Sequence, residues 1–445
     1  MPLGARCLKK CILAMLAVVC SAVSFVACGG GKKTTPKQSG LPERVLASQG
    51  VTNVANFGGL RIINGYNDTL PAGVAPLSAG TNPGLMAVSP TLNVAAAFDP
   101  STNTVYAVDT SSESSIGRVQ LSGPTTSFVV PTSNSTGFAA VPSATVNGFA
   151  FTGAVQSMSF STGVLGTIAV NNAQTVVSNS DGSQLLVFSG DSDSMTVLNP
   201  GAAAPPVDMS CYTNPPNTVC NIIPGFDRPV FAVVKDNMAY VLNCGPQCGG
   251  AQASVMFFDL ATLTITKTIP VPAATMALLS NTTLYVAGTP MTDNACTGQT
   301  TAARTCGRLS LINVTTGKIT ASAVITDGYH ARMDLTPNGE LFIGSRNCTN
   351  IGNVNDIQTV NQPTSEVRGC LTIYRADGSL VFPPDNGNVD GLQSFTTRNI
   401  EYVAEGGNLR VYDTTKDILL VNDFLPEGTI NIVGYVGDVR SIDFF

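Results

Sequence analysis

The chain has 445 residues, of which only 12% are charged against 44% hydrophobic, with 43 Gly, 27 Pro, no Trp and one His. So little charge excludes a disordered protein, a coiled coil and a Lys/Arg-driven nucleic-acid binder. The length allows two or three domains or one large repeat domain, and the lone His removes most His-based catalysis and nearly every His-rich metal site.

Residues 1–27 read as an export signal. Arg6, Lys9 and Lys10 form a positive start, and Cys11 to Ala27 carries no charge. The run ends in Phe25-Val26-Ala27-Cys28, which resembles the lipobox of bacterial lipoproteins, with Phe where that family usually has Leu or Val. The resemblance implies cleavage before Cys28 and a lipid on its thiol, so the membrane is the first expected partner. An uncleaved anchor or plain secretion are the alternatives. Residues 28–42, with Gly29-Gly30-Gly31-Lys32-Lys33, read as the lipidated Cys and a flexible leash. Gly29 after the Cys places the expected address at the outer membrane of a bacterial cell envelope, on its periplasmic or surface side. Removing Arg6, Lys9 and Lys10 leaves the body more acidic than the full chain's −6, against binding nucleic acid or anionic lipid.

From residue 43 to 445 short β-branched and aromatic runs alternate with Gly, Pro, Asn and Asp, the pattern of an all-β chain. One segment recurs eight times, a short strand followed in most copies by Asp or Asn and a Thr/Ser turn: GGLRIINGYND, NTVYAVDTSS, GAVQSMSFSTG, DSMTVLNP, ASVMFFDLAT, GRLSLINVTTG, GCLTIYRADG and GNLRVYDTTKD. Its first apolar residues are Leu60, Val105, Val155, Met195, Val255, Leu309, Leu371 and Leu409, spaced by about 50 residues, within the range of propeller repeats. Two further strands precede most anchors and one follows, least clearly in the first and fourth repeats. Four antiparallel strands per unit predict a single β-propeller. Eight blades is the favoured count, with seven the alternative if the first repeat is an extension. Thr336-Pro337-Asn338-Gly339 and Asn179-Ser180-Asp181-Gly182 read as turns between first and second strands.

SVMFFDLATLTITKTIPVP with LSNTTLYVAGT, and LSLINVTTGKI with LTPNGELFIGS, resemble the YVTN-type β-propeller repeat of bacterial and archaeal surface proteins. The likeness is strong over 228–345 and weak over 41–80. It implies architecture and no catalytic residues.

A propeller left open has two unsatisfied sheet edges. The first repeat starts at Arg44-Val45-Leu46-Ala47-Ser48 without an innermost strand, and the chain ends in an alternating segment from Gly437 to Phe445. The C-terminal strand is therefore predicted to complete the first blade.

Of the 12 Cys, eight lie in the body: Cys211, Cys220, Cys244, Cys248, Cys296, Cys306, Cys348 and Cys370. An even number in an exported chain reads as disulfides, with sequence neighbours pairing naturally and each short loop worth on the order of 2–3 kcal/mol. A four-thiolate zinc site is the rival, disfavoured by spacing and compartment. Cys244–Cys248, Cys296–Cys306 and Cys348–Cys370 fall in the second-to-third-strand connections of consecutive blades, where long polar loops are predicted over about 289–307 and 346–370.

Asn172, Arg228, His330, Arg332, Asp390 and Asp438 fall near the starts of predicted innermost strands and are the candidate ligand-face residues around the channel mouth. Arg228 and Arg332 suit a carboxylate or phosphate; the competing reading pairs these charges with one another. No catalytic motif, metal site or cofactor is expected. The favoured function is a tethered, non-catalytic binding or scaffold module for an envelope protein, glycan or small ligand, as a monomer or a subunit of an envelope complex. The alternative is an exported propeller enzyme, lactonase-like or quinoprotein-like; the absence of Trp weighs against quinoprotein-type blade docking and against a lectin face.

Overall fold

The computed structural model describes residues 38–51, 58–132, 136–200, 209–210, 220–290, 306–348, 370–383 and 387–444. The chain divides into Met1–Gln38 and Ser39–Phe445. The expected signal segment and Cys28 lie outside the described residues, and the second unit is described below.

Ser39–Phe445 forms eight antiparallel sheets. Their innermost strands are Tyr435–Ser441, Met86–Val88, Ser127–Val129, Ala173–Ser178, Pro229–Lys235, Met276–Ser280, Tyr329–Leu335 and Val389–Phe395, for blades 1 to 8 in that order. Each innermost strand packs against the next, and the eighth packs against the first, which closes the ring. The molecule is an eight-bladed β-propeller, almost without helix.

The repeat anchors explain why the blades stack. Leu60, Val105, Val155, Met195, Val255, Leu309, Leu371 and Leu409 all sit in third strands and all are fully buried. The eight local clusters of buried side chains that hold neighbouring sheets together are built around these positions. The Asp or Asn that follows ends the strand by capping a turn: Asp109 Oδ1 accepts from the Ser112 amide at 2.7 Å, Asp259 Oδ1 from Thr262 at 2.9 Å and Asn313 Oδ1 from Thr316 at 2.9 Å. Four positions after the Asp or Asn the chain turns left-handed in five blades, at Asp68, Glu113, Leu263, Gly317 and Asp417.

The first and fourth repeats, least regular in sequence, are also irregular in space. Blade 1 has three strands, with only the isolated Leu60–Leu77 and Asn64–Thr69 bridges beyond its third among the described residues. Blade 4 reaches its fourth strand, Cys220–Pro224, after a long excursion whose Met209–Ser210 pairs parallel to Gly163–Ala169 of blade 3.

Tyr435–Ser441 pairs with Arg44–Gly50, Val45 against Ser441 and Ala47 against Val439, so the C-terminal strand is the innermost strand of the first blade. The approach between blades 8 and 1 is close: a Cβ on Gly391 would lie 2.7 Å from both Asp438 Oδ1 and the Val439 amide, so that position admits only glycine.

Candidate functional site

Antiparallel alternation places the second-to-third-strand connections and the links between blades on one face of the ring. In blades 5 to 7 these connections are long, spanning 244–253, 289–306 and 347–370. Blade 5 folds its connection into a short helical turn, Gly245–Cys248, closed by a Cys244–Cys248 disulfide; blade 7 closes the ends of its connection with Cys348–Cys370. Cys220 is disulfide-bonded and Cys306 is buried, while Cys211 and Cys296 lie outside the described residues. Gln247 ties the loops together, donating from Nε2 to the Gly328 carbonyl at 3.3 Å and accepting the Thr289 amide on Oε1 at 2.9 Å.

The channel inside the ring contains a cavity of about 440 Å³ lined by innermost-strand residues of blades 1 to 7. Its wall mixes apolar groups, among them Phe128, Val177, Phe231 and Met276, with Thr175, Ser178, Tyr329, Arg332 and Arg440. The only charged residues lining it are these two arginines.

Arg332 is the centre of a network. Its Nε donates to the Asp390 carbonyl at 2.7 Å and its Nη1 to the Ala331 carbonyl at 3.0 Å. Nη2 lies 3.7 Å from Asp438 Oδ2 and, although buried, has no hydrogen-bond partner among the described residues. Asp438 is already engaged: Oδ2 accepts the Met86 amide at 2.9 Å and Arg440 Nη2 at 3.3 Å, and Oδ1 accepts the Val439 amide at 2.9 Å. Asp390 Oδ2 accepts the Tyr435 hydroxyl at 2.5 Å, and its Oδ1 forms a 2.7 Å ion pair with Arg346 Nε that lacks hydrogen-bond alignment. Burial pushes Arg332 down to about 10, with Asp438 opposing the shift and Arg440 and Arg346 reinforcing it; it stays charged at neutral pH. Burial, followed by the bond to Asp390, pushes the Tyr435 phenol up to about 12.

Behind the cavity, blades 7 and 8 bury two carboxyls. Asp334 accepts the amides of Leu335 and Ser394, at 2.9 and 2.5 Å. Glu401 is fully buried, and neither of its oxygens meets hydrogen-bond geometry with a described group. Burial, reinforced by the Asp334 charge, raises Glu401 well above its ordinary value.

Of the six residues expected at the mouth, Arg332, Asp390 and Asp438 come together. Asn172 and Arg228 do not join them: both take left-handed backbone in the links before blades 4 and 5, and Arg228 faces Asp193 at 3.6 Å. His330 is fully buried, its Nε2 3.0 Å from the Thr326 carbonyl and its Nδ1 without a partner. Burial depresses it to about 4, so it is neutral. Arg346, Tyr435, Arg440 and Tyr329 escaped the sequence reading. The pairing register shifts between His330 and Arg332, a local irregularity of the strand, and Tyr329, His330 and Arg332 all border the cavity.

No protein-family model matches the chain, and no curated protein sequence matches it. Solved structures do. Dihydro-heme d1 dehydrogenase NirN in complex with DHE is 11% identical, with a TM-score of 0.55 over 90% of this chain and 75% of that one. A putative 6-phosphogluconolactonase from Bacteroides fragilis is 10% identical with a TM-score of 0.48, over 92% of this chain and 100% of that one. The periplasmic gluconolactonase PpgL of Pseudomonas aeruginosa is 14% identical with a TM-score of 0.45, over 90% of this chain and 98% of that one. The likeness is one of fold.

Proposed function

We propose that this chain is a YVTN-type propeller lipoprotein of the bacterial envelope: cut before Cys28, held by lipid on that residue at the outer membrane, and acting as a non-catalytic binding or scaffold module. The observation that carries the binding reading is the asymmetry of the ring. Three consecutive blades have long second-to-third-strand connections, those of blades 5 and 7 carrying disulfides at Cys244–Cys248 and Cys348–Cys370, and Gln247 of blade 5 bonds Thr289 of blade 6 and Gly328 in the link before blade 7. Long loops on a rigid scaffold are where recognition is usually built. The partner is an envelope protein or a glycan reached from that face.

The alternative, an exported propeller enzyme of lactonase-like or quinoprotein-like type, finds less support. Among the described residues no three of His, Cys, Asp or Glu come together as a metal-ligating group.

Crosslinking in native membranes followed by mass spectrometry tests the reading. A reproducible protein or glycan crosslinked to residues 289–370 supports it. Recovery of the monomer alone, purified with a bound metal or organic cofactor, overturns it in favour of the enzyme. A Cys28→Ala chain that remains membrane-bound and uncut overturns the lipid anchor.

A further inference from the structure

The cavity in the ring is unusual in the company its charges keep. Arg332 and Arg440 line it, whereas the carboxylate that both face, Asp438, is absent from the lining and already accepts the Met86 and Val439 amides, and the Asp390 carboxylate is taken by Tyr435 and Arg346. Arg332 keeps an Nη2 donor group without a hydrogen-bond partner, a costly state for a buried guanidinium. Three wall hydroxyls, those of Thr175, Ser178 and Tyr329, are also without partners among the described residues, while the hydroxyls of Ser127 and Thr275 are spent on backbone carbonyls. The same wall carries apolar groups, Phe128, Val177, Phe231 and Met276.

We propose that the cavity binds a small organic carboxylate, its carboxylate on the Arg332 guanidinium with Tyr329 alongside, and its apolar body against Phe128, Val177, Phe231 and Met276. Nε and Nη1 of Arg332 each donate to a backbone carbonyl, so the remaining N–H groups of the guanidinium are what a carboxylate would meet, through a charge-assisted bond. A space of about 440 Å³ admits a body well beyond a bare inorganic anion, and the apolar wall rewards one. Asp334, the carboxylate of the blade 7 innermost strand, is held by two backbone amides. The inference deepens the binding reading and rests on it by naming the ligand class of the channel, separately from the partner of the blade 5–7 loops.

Calorimetric titration of the full chain with benzoate and hexanoate, beside benzamide, hexanamide and inorganic phosphate, tests it. The acids are expected to bind about tenfold or more tightly than their amides, the usual worth of a hydrogen bond to a charged group. Arg332→Gln is expected to remove the preference. Because Arg332 is also structural, Thr175→Phe fills the cavity from a half-buried position and is expected to abolish acid binding with the melting temperature retained. Phe231→Trp supplies the only Trp of the chain and reports occupancy by fluorescence. Equal binding of acid and amide, binding of phosphate as tight as benzoate, or no binding at millimolar acid overturns the inference. The loop partner captured by crosslinking is unaffected by any of these, so the two readings fail separately.

Discussion

The Arg44 guanidinium grips the Asp443 carboxylate with two bonds, Nη2 to Oδ1 at 2.6 Å and Nε to Oδ2 at 2.9 Å, across 399 positions of sequence. The same guanidinium reaches blade 2, donating from Nη1 to the Thr110 carbonyl at 2.6 Å and to Glu113 Oε1 at 2.9 Å. One side chain thus joins the first strand in sequence, the last strand and the neighbouring blade.

This latch is expected to stabilise ring closure. Asp443→Asn removes the charge and one acceptor, and should lower stability by about 1–3 kcal/mol, the range for hydrogen bonds to charged groups. Deleting residues 435–445 is a larger insult, because it strips the innermost strand from blade 1 and bares sheet edges. That chain should lose its cooperative thermal transition and associate through those edges, as followed by circular dichroism and light scattering.

A second seam, between blades 7 and 8, carries the alkaline pH dependence. Glu340 meets Asp417, which is paired with Arg375 at 2.5 Å. Burial, then the hydrogen bond to Asp417 and its charge, push Glu340 up to about 8, so at neutral pH it is protonated and donates to Asp417. A carboxyl raised in the folded state contributes stability that is complete below the unfolded value near 4.5 and is lost as pH rises through about 8. Melting temperature should therefore decline from pH 5 to 9, and Glu340→Gln, which keeps a neutral donor, should flatten that decline.

His330 sets the acid side. It is the only His of the chain, so an NMR titration shows one imidazole. Burial depresses it to about 4, hence the signal should not titrate between pH 8 and pH 5.5. The sign is opposite to that of Glu340: the stability it contributes is whole above the unfolded value near 6.5 and is lost as pH falls through about 4. A mid-range titration near pH 6.5 would show that the ring opens at blade 7.

The sequence disclosed the repeat because burial demands it. The eight anchor positions must be apolar, and all eight are fully buried. Ring closure was legible for the same reason, since an edge strand at one end of the chain needs the other. The site was legible only in part. Arg332, Asp390 and Asp438 stand near strand starts, where a strand count finds them, but Arg346 and Arg440 come from strand ends and reach in with long side chains. His330 borders the cavity but is fully buried, with Nε2 at the Thr326 carbonyl, a burial that the strand pattern does not reveal. The left-handed turn position shows itself as glycine only at Gly317, while Asp68, Glu113, Leu263 and Asp417 conceal it in other blades.

Gly317 therefore offers a test of that turn. It has φ of 62°, and its amide donates to the Asn313 carbonyl at 2.7 Å. A Cβ there would meet the Lys267 ammonium, a flexible group able to move, so the cost of Gly317→Ala is chiefly conformational. The substitution should lower stability by about 1 kcal/mol, measured by urea unfolding with an unchanged denaturant slope.

The Cys348–Cys370 bridge closes a loop with a sequence separation of 22 at the face argued to recognise a partner. Its two ends are held independently by the ring: the Asn347 amide donates to Asn388 Oδ1 at 2.9 Å, and the Cys370 carbonyl accepts the Ser345 amide at 3.0 Å. Breaking the bridge should then free the connection without opening the blade. The double variant Cys348→Ser/Cys370→Ser is expected to lose about 3.4 kcal/mol, the chain-entropy worth of a loop of this size. Its far-ultraviolet circular dichroism should stay that of the intact propeller, while limited proteolysis moves to residues 349–369. Loss of the crosslinked partner in this variant, with carboxylate binding in the channel retained, would assign recognition to the loop and ligand binding to the ring.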